Sequence, residues 1–409
     1  MPGNKEFIEE AMRYYRELPL ESGLYKKYSI EMPLDTPDPK GADADINAIA
    51  EEISSRMRIR FDAVVSSRSA VSTNQDIVVK KVEELDSAAI NGKLFKSSED
   101  KLAAFINSKA RHFVIVNAKS GVDKKLNILF INDGNLPVQI LVDAADNSRL
   151  EILEFYTSAS KERSVVAPLH EIKTGKGAHV EVDMVHNEND KTYLVGLCKA
   201  IAGDRSRVKL NFVYSGAVAT KSRNILDSNG EKNGVEVNEI VFGINDQKFD
   251  VSTFIANKKP FSSAMINSGA VLDGEAYCVM KGFAKVENGS KGAFSKITER
   301  GILLSMDSHI DALPDMSIDY SNEVKATHSA ATSPIDQEAL FYLTSRGIPD
   351  EAARKLFVTS FLARYLLNMD SGIAKELAMS IMLDKLERKV YGGKTEMTTK
   401  GIWMVANEK

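Results

Sequence analysis

Cysteine is nearly missing: Cys198 and Cys278 are the only two in 409 residues. Two thiols cannot form a disulfide framework, nor can they supply four thiolates to a metal centre from one chain. In a chain this long they suggest a reduced, cytoplasmic setting. Aromatic residues make up 7%, with Trp403 the single tryptophan, so stacking platforms for nucleic-acid bases are scarce. The formal net charge is −4 and no block of like charge stands out, which excludes an electrostatic nucleic-acid footprint. No apolar run reaches the roughly 18–20 residues that span a membrane. The nearest, Phe357 to Met369, is interrupted by Arg364, and Met1 to Arg16 lacks the apolar core of a signal peptide.

Several chemical motifs are also absent. There is no Gly-x-Ser-x-Gly, no His-Glu-x-x-His and no Cys-x-x-Cys. Gly392-Gly393-Lys394-Thr395 is not a phosphate cradle, because the glycine required five residues before Gly393 is Arg388 and no strand leads into it. No nucleotide is expected to bind this chain. Asp227-Ser228-Asn229-Gly230-Glu231 has Lys232 where a calcium loop needs glycine, and it reads as a turn.

What the chain does have is alternation. From Arg111 onward, short runs of alternating apolar and polar residues are separated by Gly, Asn, Asp and Ser clusters. Leu150-Glu151-Ile152, Val180-Glu181-Val182, Val208-Lys209-Leu210 and Val235-Glu236-Val237 each follow a polar turn. They recur roughly every 27–30 residues, the signature of stacked supersecondary units. Alternation sends one set of side chains inward and the other outward. A β-solenoid over about 111–320 fits this plan, and a β-sandwich with regularly spaced strands is the other reading. Cys198 and Cys278 sit within apolar alternation and read as small buried hydrophobes.

Flanking segments are helical. Asn4 to Glu17, Asp43 to Arg60 and a stretch near Ser98 to Ser108 have helical spacing, with Ile77-Val78-Val79 a short strand among them. Pro19 to Pro39 holds four prolines and cannot be one regular element. Ser333-Pro334 is expected to open a helical tail, with Ser333 as cap, and Gly347 to end its first helix. Two more helices should follow Pro349 and Asp370. Their large apolar residues either pack into a small bundle or meet a partner. The expected organisation is an N-terminal mixed region (1–110), a core (111–330), a helical domain (331–390) and a polar tail (391–409).

The stretch Gly301 to Gly347 carries the most specific pattern. It contains Leu303-Leu304-Ser305, Pro314, Val324-Lys325 and His328 among small residues. Asp336-Gln337-Glu338-Ala339-Leu340-Phe341-Tyr342-Leu343 and Arg346-Gly347-Ile348 follow in order. With Ser268-Gly269-Ala270-Val271-Leu272-Asp273-Gly274 upstream, it resembles the SufB/SufD family of the SUF iron–sulfur cluster assembly system. That resemblance implies a mainly β fold, with a right-handed parallel β-helix core between an N-terminal α/β region and C-terminal helices. It implies a non-enzymatic scaffold in which helices over 336–388 dock a SufC-like ABC ATPase. Pairing would run through the β-helix, as a homodimer or as a heterodimer with a SufB/SufD paralogue. The iron–sulfur cluster would be held transiently or shared, with His328 as a metal ligand at the interface.

Departures are local. Ala326-Thr327-His328 stands where SufD-type sequences often read Cys-Ser-His. Thr327 and Ser329 stand where SufB-type sequences place glutamates, and Ser308 where SufB carries a cysteine. The pattern therefore leans towards the SufD-type role. His309 and Asp311 share one strand face and are candidate additional ligands if the strands stack; an ordinary solvated face is the plain reading. The rival function is a carbohydrate-binding or carbohydrate-cleaving β-helix. Its outward candidates, Glu151, Glu181, Lys209 and Glu236, have no aromatic ladder beside them.

Overall fold

The computed structural model describes residues 2–19, 28–39, 45–85, 94–319 and 323–390. Its centre is a parallel β-solenoid of about eight turns, built from two ten-stranded sheets. Successive strands alternate between the sheets, so each coil contributes one strand to each. One sheet contains Asp123–Asn132 (β5), Arg149–Ser158 (β7), His179–Asn187 (β9), Arg207–Tyr214 (β11), Gly234–Gly243 (β13), Ser263–Leu272 (β15), Phe294–Leu303 (β17) and Lys325–Pro334 (β20). We call it the first sheet. The second contains His112–Ala118 (β4), Leu136–Ala144 (β6), Ser164–Thr174 (β8), Thr192–Ala202 (β10), Ala219–Ser228 (β12), Lys248–Asn257 (β14), Tyr277–Val286 (β16), His309–Ala312 (β18) and Asp315–Ile318 (β19).

The four repeated triplets occupy one rung position on four successive coils. Leu150 pairs with Val180, Val180 with Val208, and Val208 with Val235. The sandwich reading fails here, because every pairing between consecutive coils is parallel. At one corner of the solenoid each of these coils turns through a left-handed residue. Gly121, Asn147, Gly177, Arg205, Lys232 and Phe261 all have positive φ at the same corner. Asp227 to Lys232 is such a turn, with Lys232 at φ +55°.

The interior between the sheets is mostly aliphatic, with a stack of rings running along it. Phe130, Tyr156, His186 and Tyr214 lie on successive coils, with centroids 4.4, 4.3 and 5.5 Å apart. Offset contact of this kind adds roughly 0.5–1.5 kcal/mol per pair beyond burial.

Both outer faces are covered. Over the second sheet lie helix Pro2–Glu17 (α1), the strap around Ile30, Met32 and Leu34, and helix Lys101–Lys109 (α3). Asp100 caps α3 by accepting from Leu102 N (2.6 Å) and Ala103 N (3.2 Å). Helix Ile46–Met57 (α2), capped by Asp45, packs on the first sheet.

Three helices finish the described chain: Gln337–Ser345 (α4), Asp350–Leu366 (α5) and Gly372–Val390 (α6). Val358, Leu362, Leu366, Leu377 and Ile381 lie against Leu153, Phe155, Val213 and Ile240 of the first sheet. The helices therefore form a layer on the solenoid and not a separate bundle. Gly347 takes φ +87° after α4, as its position suggested. The expected cap is displaced: β20 runs through Ser333 and Pro334, and Asp336 caps α4, accepting from Glu338 N (3.0 Å) and Ala339 N (3.1 Å). Proline is tolerated there because it ends an edge strand and owes no donor to the ladder.

Candidate functional site

His328 lies in the middle of β20, the last rung of the first sheet. Every residue of that strand, Lys325 to Pro334, is exposed. Among the described residues its one strand neighbour is β17, and none of them pairs with its other edge. His328 pairs with Ile297, which is completely buried in the interior between the sheets. Register partners in a parallel sheet point the same way, so His328, Ala326 and Ala330 share the interior-facing side. The histidine stands at the open mouth of the solenoid, among side chains no larger than threonine.

One rung below, Glu299 pairs with Ala330. Its carboxyl is buried, and Oε1 accepts from Gly282 N of the opposite sheet at 2.7 Å. That donor is free for a structural reason. The second sheet breaks at Leu313-Pro314, so β16 pairs with β18 over Tyr277–Met280 and with β19 over Phe283–Val286. Lys281 and Gly282 fall opposite the gap. Burial, with the buried Glu239 nearby, pushes Glu299 up to about 8, against the backbone N–H groups of Gly282 and Leu313, which favour the charged form. Its second oxygen, Oε2, has no hydrogen-bond partner.

The other sequence candidates do not join this mouth. Ile310 points inward, so His309 and Asp311 lie on the outer face of the second sheet, away from His328. They bond each other at 3.2 Å, Tyr277 donates to Asp311 at 2.8 Å, and the Tyr277 ring stacks on His309. The plain reading of these two residues, an ordinary outer face, is the one the structure shows, and they are not placed to add ligands beside His328. Ser308 is buried and donates to Ser305 O at 3.0 Å. Cys198 and Cys278 are buried interior residues whose thiols burial pushes up. They lie three coils apart in one sheet, at least ~14 Å, too far for a disulfide. Among the described residues no three His, Cys, Asp or Glu side chains gather as a metal site. Gly392 to Thr395 lies outside the described residues.

Sequence reading missed the polar interior. Glu154 Oε2 meets His170 Nε2 at 2.8 Å and accepts from Tyr156 OH at 2.7 Å. Glu239 accepts from Ser268 (2.6 Å) and Asn224 (3.1 Å), and burial raises its carboxyl above the usual range. The signal was present: these residues occupy inward positions of the alternation, where an apolar side chain belongs.

The outward row Glu151, Glu181, Lys209 and Glu236 is partly roofed by the link between α5 and α6. Asp370 N donates to Glu181 Oε1 at 2.7 Å, and Lys209 bonds Asp370 at 2.8 Å. Burial pushes Glu181 up to about 7, opposed by the Asp370 N–H. On the helices themselves Phe341, Tyr342 and Leu356 are 73%, 56% and 51% exposed.

The family profile for the SUF system FeS cluster assembly SufBD core domain matches residues 130–361, more than half of the chain. The chain belongs to the SufB/SufD family. It is 28% identical over 305 residues to the iron–sulfur cluster assembly protein SufD of Bacillus subtilis, covering 72% of this chain and 68% of that one. It is 22% identical over 254 residues to SufD of Escherichia coli, covering 62% and 58%. A SufBD family protein of Methanothermobacter thermautotrophicus is 27% identical over 256 residues, covering 61% of each. The last two matches span less than two thirds of those relatives. The SufBD core match includes the solenoid from the end of β5, all of β20 and most of α5. His328 and Glu299 of this family member both fall inside it.

Proposed function

We propose that the chain is a non-catalytic, cytoplasmic scaffold subunit of iron–sulfur cluster assembly, acting in the SufD-type role. It pairs end to end with a second SufB/SufD-type subunit, a copy of itself or a paralogue, and it docks a SufC-like ATPase on its helices. The observation that carries this reading is β20: ten exposed residues at an open sheet edge, with an imidazole in the middle facing the mouth. An unpaired edge recruits another strand, and neutral imidazole is a good ligand for iron. A cluster held between two such mouths would be shared, with His328 giving a ligand from this chain and the partner giving others. No helix among the described residues is long and apolar enough to cross a membrane.

The docking half rests on Phe341, Tyr342 and Leu356, exposed on α4 and α5 while the opposite sides of these helices pack inward. Because α5 and α6 are bound to the first sheet, movement of a docked ATPase would be transmitted to the solenoid and its mouth. The test is co-purification. Phe341→Asp with Leu356→Asp should abolish retention of the ATPase, with the melting temperature unchanged; retention at the wild-type level would refute docking there. Anaerobic reconstitution of the paired assembly with iron and sulfide should give less cluster with His328→Ala, and equal cluster would remove His328 from the site. A carbohydrate groove is disfavoured because its candidate row lies partly beneath the Asp370 link.

A further inference from the structure

Glu299 and His328 belong to adjacent rungs of the same interior-facing surface. Glu299 pairs with Ala330 and His328 with Ile297, so the two are diagonal neighbours. With strands ~4.8 Å apart and a rise of ~3.3 Å per residue, their Cβ atoms lie roughly 8 Å apart. A carboxylate and an imidazole at that separation can converge on one ion, since both side chains reach several ångströms. The two positions between them are Ala330, which is small, and Ile297, which points into the interior beside both. A Cβ at Gly282 would lie 2.8 Å from Glu299 Oε1, so glycine there makes room for the carboxyl.

Glu299 is also only half used. Oε1 closes the gap left by the break at Leu313-Pro314, while Oε2 is buried without a partner. A buried carboxyl oxygen left unsatisfied costs about 1–3 kcal/mol. Closing the sheet break requires one acceptor, which an asparagine or glutamine side chain would supply with no charge to desolvate. The acidic group therefore has a feature its structural duty does not explain.

We propose that Glu299 is a second protein ligand at the mouth, binding with His328 a hard or borderline divalent cation such as ferrous iron. The pair forms a half-site, with Glu299 Oε2 and one His328 ring nitrogen as donors and the remaining positions left to water, sulfide or a facing subunit. Carboxylate and imidazole together suit Fe2+ over softer ions. This proposal rests on the cluster-handling role assigned to His328 above.

The test is anaerobic titration of the purified full-length chain with Fe2+, and with Co2+ as a visible-absorption probe. Wild type, Glu299→Gln and His328→Ala are compared. Glutamine still accepts from Gly282 N–H, so the fold is kept and circular dichroism melting checks it. The expected result is at least a ~10-fold loss of affinity in both variants, with the Co2+ bands of Glu299→Gln shifted from those of wild type. If only His328→Ala weakens binding, the Glu299 assignment is overturned and the role of His328 stands. If only Glu299→Gln weakens it, the paired site and the His328 ligand both fall. Equal binding by all three, or none by wild type, overturns both.

Discussion

At its N-terminal end the solenoid is finished by short antiparallel strands: Ala70–Ser72 on one sheet, and Ile77–Lys81, with Lys80 and Lys81, on the other. At its C-terminal end the last rung of the first sheet is ten residues long, parallel and exposed, and between Ala326 and Thr332 it carries no charge other than any on His328. Short strands and lysines are the usual means of blunting a sheet edge against association. On the first sheet the chain ends in a three-residue strand at one end and a ten-residue strand at the other, while the second sheet is short-stranded at both. The difference makes the C-terminal end of the first sheet the more accessible edge for the pairing proposed above.

Substitutions can break this contrast. The largest effect is expected at the closed end. Ile77 is 2% exposed and belongs to the interior core, so Ile77→Ala should cost about 3 kcal/mol. Met316, only partly buried at the open end, should cost under ~1 kcal/mol when cut to alanine. Chemical denaturation of both variants measures the difference; equal losses would mean the two ends are equally well packed.

Next comes association. Thr327→Lys with Ser329→Lys puts like charges on the exposed rung, and it should weaken pairing at least ~100-fold, about 2.7 kcal/mol. Val71→Lys, on an exposed residue of the closed end, should leave pairing unchanged. Sedimentation across a concentration series distinguishes these outcomes. Loss of pairing with Val71→Lys alone would invert the comparison.

A smaller effect concerns the helix layer that lies between the ends. Glu181 is raised to about 7 beneath the Asp370 link. A carboxyl whose folded pKa lies above its unfolded value favours folding in its protonated form. Its stabilisation is complete below the unfolded pKa and lost as pH rises through about 7. Glu181→Gln should remove roughly 1 kcal/mol of the decline in stability between pH 5 and pH 8. Unfolding free energies at the two pH values test this, and an unchanged slope would place the titration elsewhere. The smallest change is expected from His328→Ala, within about 0.5 kcal/mol in thermal unfolding, because the side chain is exposed.

The sequence showed the coils clearly because alternation and turn chemistry are local. Leu150, Val180, Val208 and Val235 could be placed on a common rung from spacing alone. Asp336 was harder, since Ser333-Pro334 offers equally good local chemistry and only the pairing of β20 with β17 carries the strand past it. His309 and Asp311 show the limit more sharply. Alternation tells which residues share a face, but it does not tell which of two sheets a strand joins. That depends on counting every coil from the start, and a strand broken at Pro314 upsets the count. Glu299 was invisible for another reason: its partner, the Gly282 N–H, is freed by the same break and lies across the interior.

The left-handed corner residues, one per coil from Gly121 to Phe261, have an evolutionary consequence. A single-residue deletion within a strand would turn its interior set outward and shift the next corner out of step with its neighbours. Length can therefore change smoothly only by gaining or losing an entire coil. Homologues should differ in the span between their closed and open ends by multiples of roughly 4.8 Å, a ruler graduated in whole turns.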